Sequence, residues 1–91
     1  MNEKDQEWYR LTEHAREEAK RRSIPLDLLD TVLRAPSQIV SAHSDRKVYQ
    51  SQVEIDGKLY LVRAIVEATD LLTVITVYRT SKIEKYWSNE S

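Results

Sequence analysis

Residues 47–66 form the stretch that decides the fold, KVYQSQVEIDGKLYLVRAIV. Two strand-like runs flank Asp56 and Gly57, and an Asp-Gly pair in that setting is the strongest short-range signal of a β-hairpin with a two-residue turn. A two-residue turn also fixes the register, so Gln50 is expected opposite Arg63. One face of the hairpin is then apolar enough to pack beneath helices, and the other carries an arginine beside glutamines.

Composition sets the broad limits on class and location. The chain has 91 residues, with 14 basic and 15 acidic side chains, so its net charge creates no field that would attract nucleic acid or membranes. The absence of cysteine excludes disulfides, thiolate catalysis and cysteine metal sites. No run resembles a transmembrane span or a signal peptide. We therefore expect one cytoplasmic domain over residues 1–91, with residues 1–8 flexible.

Two helices are predicted before the hairpin. Thr12 is expected to be the N-cap of a helix that runs to about Arg22, and Ser23 or Ile24 is expected to cap a second helix that ends at Pro36. Leu11, Ala15 and Ala19 form the apolar side of the first helix, and the second has a wider apolar face of Leu26, Leu29, Val32 and Leu33.

The remaining pattern is extended and predicts four strands, at residues 38–41, 47–55, 58–67 and 72–79. The order of elements implies an α+β domain, with two N-terminal helices packed on one face of a four-stranded antiparallel sheet. Ser81 followed by Glu84 is typical of a capping box and predicts a short C-terminal helix.

The length of the last loop decides what surrounds Arg63. An even loop, for instance 67–70, puts Val74, Thr76 and Tyr78 on the face of Arg63 and puts Val77 on the other face. An odd loop would split this group. With the even loop, the uncovered face of the sheet presents one polar cluster, Gln50, Gln52, Arg63, Thr76 and Tyr78.

Arg63 and His14 each have two interpretations. Arg63 either pairs with Glu54 or Glu67, or it contacts a phosphate, for which a planar guanidinium is well suited. His14 is either a half-buried histidine at a helix–sheet contact, with Glu18 four residues on, or an acid–base group.

After the last predicted strand, the sequence interleaves Arg79, Lys82 and Lys85 with aromatic residues. Basic and aromatic side chains in alternation are typical of single-stranded RNA binding. The favoured interpretation, however, is that Ile83, Tyr86 and Trp87 dock on the core while the lysines remain in solvent.

The chain has no familiar catalytic motif. Its single glycine excludes a glycine-rich phosphate loop, and two distant histidines do not form a metal site. We therefore expect no cofactor and no metal. Metal-independent cleavage of RNA is still chemically accessible, because RNA carries its own 2′-hydroxyl nucleophile and a protein need only orient it, move protons and neutralise charge.

Five short segments in order resemble the family called domain of unknown function 4258: LTEHA at 11–15, RRSIP at 21–25, VLRAP at 32–36, RKVY at 46–49 and VITVY at 74–78. The resemblance runs from about Leu11 to Tyr86. The family in turn resembles small toxins of the RelE, ParE and BrnT type, which implies two helices on an antiparallel sheet. It also implies a ribonuclease-like toxin that acts on mRNA, free or ribosome-bound, and that pairs with a cognate antitoxin.

The resemblance and the residue pattern together define the candidate site. His14, Arg46, Tyr49, Thr76 and Tyr78 fit the family's pattern positions. Our working hypothesis assigns catalysis to His14, Arg63 and Tyr78, and RNA binding to Arg46, Tyr49, Gln50, Thr76, Arg79, Lys82 and Lys85. A non-catalytic interaction module, an inactive toxin-like domain and a poison of a DNA-handling enzyme are the alternatives. The near-neutral pI of 6.1 argues against RNA binding and for a diverged or inactive toxin-like domain.

Overall fold

The computed structural model describes residues 8–69 and 71–89. Its elements in chain order are β1 (Tyr9–Leu11), α1 (Glu13–Arg21), α2 (Leu26–Arg34), β2 (Gln38–Ser41), β3 (Lys47–Ile55), β4 (Lys58–Ala68), β5 (Leu72–Thr80) and α3 (Ile83–Tyr86), with a 3₁₀ turn at His43–Asp45. Two strands have the predicted bounds, and two extend one residue beyond them. The expected flexibility of residues 1–7 falls outside the described residues. Trp8, also expected to be flexible, packs its ring edge-to-face on Tyr9.

The sheet corrects the predicted architecture. The class is α+β, but the sheet is five-stranded and mixed, in the order β1-β5-β4-β3-β2, so the prediction of four antiparallel strands is wrong. The additional strand is β1, which pairs in parallel with β5. Three residues are too few to show an alternating pattern, so only the partner strand reveals this element.

The central hairpin follows the sequence prediction. Gln50 lies opposite Arg63 in the antiparallel register of β3 and β4. Asp56 and Gly57 have φ values of 53° and 81°, as a turn with two left-handed residues requires. The prediction from the Asp-Gly pair is therefore confirmed over the length of both strands.

A β-bulge at Ile75 decides which residues of β5 share a face. The β4–β5 loop is the odd connection 69–71, and Val66 pairs with Val74. The register then shifts by one, so that Ile65 pairs with Thr76 and Arg63 with Tyr78. Val74 therefore lies on the helix side, against the prediction, while Thr76 and Tyr78 reach the face of Arg63 as predicted.

One hydrophobic core joins α1 and α2 to the strands. Its fully buried members are Ala15, Ala19, Leu29, Val32 and Leu33 from the helices and Val62, Ala64, Val66, Val74 and Val77 from the strands. Leu26 was predicted to join this face but is 48% exposed, because it stands in the first turn of α2, where the helix enters from Pro25.

Thr12 connects the first helix to the bulge. Its hydroxyl oxygen accepts from the backbone N–H of Ala15 at 3.0 Å, which confirms the predicted N-cap. The same hydroxyl donates to the carbonyl of Ile75 at 3.2 Å. Thr12 therefore links the start of α1 to the bulge that determines which residues of β5 share a face.

Carboxylates on both helices have lowered pKa values. Glu18 accepts from Arg22 at 2.8 Å and from Arg21 at 2.5 Å. Both bonds lower the pKa of Glu18, and the bond from Arg22 has the larger effect. Asp30 accepts from the hydroxyl of Tyr9 and from Arg34, and its pKa is lowered mainly by the Tyr9 bond. Glu18, the predicted partner of His14, is therefore engaged elsewhere.

The third helix is short and is not capped as predicted. Lys82 occupies the N-cap position without a side-chain hydrogen bond, and its backbone N–H donates to the hydroxyl of Thr80 at 3.0 Å. The prediction of a capping box at Ser81 is wrong. Among residues 8–69 and 71–89, no helix is long and apolar enough to cross a membrane.

Candidate functional site

Arg63 is the centre of a polar cluster on the sheet face opposite the helices. Its Nε donates to the Gln50 side-chain oxygen at 2.8 Å, and its Nη1 donates to the Tyr78 hydroxyl at 2.5 Å. The strand register places both partners directly across from it, on β3 and β5. The sequence prediction that these three side chains lie together is confirmed. With Gln38 and Tyr86, described next, they form the Arg63 cluster.

The C-terminal segment, residues 83–89, covers this face of the sheet. The Gln50 amide nitrogen donates to the Tyr86 carbonyl at 3.2 Å and to the Gln38 side-chain oxygen at 2.8 Å. The Tyr86 ring lies over the guanidinium, with its centroid 4.4 Å from Cζ of Arg63, and meets Tyr78 edge-to-face. The expectation that no helix covers this face is wrong, because α3 ends at Tyr86 with Trp87 in an extended conformation and the chain runs on across β2.

Arg63 has no carboxylate partner in the described part of the chain. Neither Glu54 nor Glu67 forms an ion pair with it, and Glu67 instead lies 3.7 Å from Nε of Arg46. The two hydrogen-bond acceptors of Arg63 are neutral, and its Nη2 donates to none of the described residues. The guanidinium is half-buried, so its charge is held in place without being neutralised by the protein.

The proposed catalytic group does not assemble as a whole. Arg63 and Tyr78 are bonded, but His14 is an exposed residue of α1, whose buried Ala15 and Ala19 pack into the core on the other side of the sheet. Residues on opposite faces of one sheet cannot share a reacting atom. His14 is therefore not part of the Arg63 cluster.

Three of the proposed RNA-binding residues take different faces of the sheet. Thr76 lies on the Arg63 face, two residues before Tyr78 on β5. Tyr49 packs against the core on the helix side. Arg79 also lies on the helix side, where its Cζ is 4.5 Å from the centroid of the Tyr60 ring.

The other proposed RNA-binding residues stand at the margins. Lys82 and Lys85 are exposed while Ile83, Tyr86 and Trp87 are half-buried, which agrees with the favoured interpretation of this segment. Tyr86 docks on the sheet face opposite the helices, called the second sheet face below, and not on the helix-side core. Arg46 precedes β3 and faces Glu67.

Sequence reasoning missed the role of Gln38. Its side-chain amide donates to the Ser88 carbonyl at 2.6 Å, and its side-chain oxygen accepts from the Ser88 backbone N–H at 3.0 Å. Gln38 pairs with Gln50 across β2 and β3, so a predicted register for that pair would have placed two glutamines side by side. Nothing in the sequence pattern indicates that the C-terminal segment crosses above them.

The comparisons with known proteins identify one family. The family model described as domain of unknown function (DUF4258) matches residues 11–79. No curated protein and no solved structure matches the chain significantly, so the likeness to RelE-, ParE- and BrnT-type toxins is not confirmed. In the described residues, no group of three or more histidine, aspartate or glutamate side chains is arranged to hold a metal ion.

Proposed function

The chain belongs to the DUF4258 family, and from that premise we propose that it is the toxin-like component of a type II toxin–antitoxin pair that cleaves mRNA. The family description names no activity, so the proposal depends on the Arg63 cluster. The single observation that carries it is a positioned guanidinium whose charge no described carboxylate offsets.

An arginine in this state is suited to a phosphodiester. A guanidinium held by neutral acceptors keeps its full charge for an incoming anion, and its Nη2 has donors that no described residue uses. Tyr78 and Tyr86 provide aromatic surface next to it, and such surfaces stack on unpaired bases. The cluster thus combines the two contacts that single-stranded RNA offers, phosphate and base.

The chemistry needs few groups because the substrate supplies the nucleophile. The 2′-hydroxyl attacks the adjacent phosphorus and the bond from phosphorus to the 5′-oxygen breaks, which leaves a 2′,3′-cyclic phosphate and a 5′-hydroxyl. Solvent takes the 2′ proton, and Arg63 stabilises the charge that develops on the phosphoryl oxygens. The Tyr78 hydroxyl accepts from Arg63 and is placed to donate its own proton to the leaving 5′-oxygen, while Gln50 holds the guanidinium in position. His14 has no part in this scheme. RNA, translating ribosomes and the cognate antitoxin would be met in the cytoplasm, where we expect the chain.

The test combines expression with an assay of RNA. Induction of the wild-type chain is expected to arrest growth and fragment mRNA, and purified protein should cleave RNA without added metal. Arg63→Ala should lower cleavage by about 100-fold or more, the range found when one transition-state contact is removed. Arg16→Ala, an exposed arginine on α1, is the matched control.

The other outcomes separate the alternatives. Cleavage that survives Arg63→Ala removes the proposed site. Growth arrest with intact mRNA favours a poison of a DNA-handling enzyme, and neither arrest nor cleavage favours the non-catalytic interaction module.

A further inference from the structure

The C-terminal segment, residues 83–89, is held on the second sheet face largely through its backbone. Gln38 donates to the Ser88 carbonyl and accepts from its N–H, which is how a neighbouring peptide group in a sheet would bind. Gln50 adds a third bond, to the Tyr86 carbonyl. Hydrogen bonds to backbone groups do not depend on the identity of the bound side chains.

The sheet positions the receiving side chains without help from the segment. Strand pairing sets Gln38 opposite Gln50, Gln50 opposite Arg63 and Arg63 opposite Tyr78, and no residue of the segment takes part in it. The bonds from Arg63 to Gln50 and Tyr78 likewise involve no residue of the segment. The segment adds the Tyr86 ring, which stacks on the guanidinium, while no residue of α3 is buried.

The family match separates the same two parts. Gln38, Gln50, Arg63 and Tyr78 all lie within the matched residues 11–79, and the segment lies wholly beyond them. The receiving residues therefore belong to the part of the chain that the family model covers, and the segment does not.

We propose that the second sheet face is a peptide-binding surface, and that it takes an extended segment of a partner protein in place of the chain's own residues 83–89. The partner segment carries a tyrosine or phenylalanine that stacks on Arg63. Two residues later, its backbone N–H and carbonyl pair with the Gln38 amide. The ligand is a protein segment and not RNA, so this binding goes beyond the proposed activity, although it uses the same Arg63 cluster.

The chain's own segment shows the chemistry and also competes for the site. A short tether gives it an effective concentration of the order of millimolar, so a free peptide meets strong competition in the wild-type chain. Weakening the tethered segment without altering the surface should therefore expose the site to a peptide in solution.

The experiment measures binding of a fluorescent peptide, Ile-Glu-Lys-Tyr-Trp-Ser-Asn, to the full chain and its variants. Ser88→Pro removes the N–H that donates to Gln38 and leaves every receiving residue intact. We expect Ser88→Pro to bind the peptide about tenfold more tightly than the wild type. Tyr86→Ala, which removes the stacked ring, should do the same, and Asn89→Ala is the control for an exposed position in the segment.

A second peptide tests the stacked aromatic. Replacing its tyrosine with alanine should weaken binding to Ser88→Pro by about tenfold. Equal affinity of all chains for the first peptide, or no binding to either weakened variant while circular dichroism shows native folding, would overturn the proposal. So would a wild-type dimer by light scattering that Ser88→Pro dissociates, because the occupant would then be a second copy. No RNA is present, so the result is independent of the proposed cleavage.

Discussion

The two faces of the sheet are filled in different ways, although the same strands supply both. The helix side is an apolar contact in which valine, alanine and leucine from strands and helices meet. The other side buries Gln50 completely and satisfies it with Gln38, Arg63 and the Tyr86 carbonyl. A nonpolar interior tolerates exchange between apolar side chains of similar volume, whereas a buried polar group needs each of its partners.

This difference separates the parts that stabilise the fold from those that can act. The apolar side gains free energy in proportion to the area that it removes from water. The polar side gains little net stability from each hydrogen bond but fixes the position of one guanidinium. Changes on the two faces should therefore differ in size and in kind.

The largest expected effect is on the helix side. Leu29 is 1% exposed in the core, so Leu29→Ala should lower the free energy of unfolding by about 2–5 kcal/mol, through lost burial and the cavity left behind. Urea denaturation of the purified chain measures it. Leu59→Ala, at a position 50% exposed, is the control and should change stability by less than about 0.5 kcal/mol. Similar losses in the two variants would show that the helix side is not the main source of stability.

A smaller loss is expected on the polar side. Gln50→Ala leaves Nε of Arg63 and the Tyr86 carbonyl without their partner, at a cost of about 1–3 kcal/mol. Gln52→Ala is the matched control, because Gln52 lies on the same strand and face but is exposed. Equal denaturation midpoints for the two variants would contradict the account of this face as a connected network.

The sequence could predict the pairing of β3 with β4 because the information is local. Asp56 and Gly57 fix the turn, and the turn fixes every pair along two strands. The parallel strand Tyr9–Leu11 could not be predicted, since its pairing depends on β5, some sixty residues later. Helix N-capping at Thr12 was likewise predictable from a single side chain.

Part of the candidate site was predicted correctly, but from a wrong assumption about the loop between β4 and β5. The grouping of Arg63 with Tyr78 depended on an even loop, whereas the actual loop is odd and the bulge at Ile75 restores the grouping. Tyr86 over Arg63 results from a tertiary contact between distant segments. Alternating polarity indicates which residues share a face, but not what covers that face.

A moderate effect is expected where the helix side is joined to the bulge. Thr12→Ala removes both the cap of α1 and the hydroxyl bond to the Ile75 carbonyl, which should cost about 1 kcal/mol. Thr31→Ala is the control, since Thr31 is exposed and its hydroxyl bonds only to the Asp27 carbonyl of the same helix. If the Arg63 cluster depends on the bulge, Thr12→Ala should also weaken binding of the fluorescent peptide. The comparison is between Ser88→Pro and the double variant that carries Thr12→Ala as well.

The smallest effect is expected from acid acting on Glu18 of α1. Arg22 and Arg21 lower the pKa of Glu18 in the folded chain below its ordinary value of about 4.5. Glu18 therefore contributes stability above that value, and the contribution is lost as the pH falls through the lowered pKa. Urea midpoints between about pH 6 and pH 3 should fall less steeply for Glu18→Gln than for the wild type, and Glu17→Gln, at an exposed neighbour, should follow the wild type. Because Arg63 has no described carboxylate partner, Arg63→Gln should leave this acid dependence unchanged, which distinguishes the charge chemistry of the two faces.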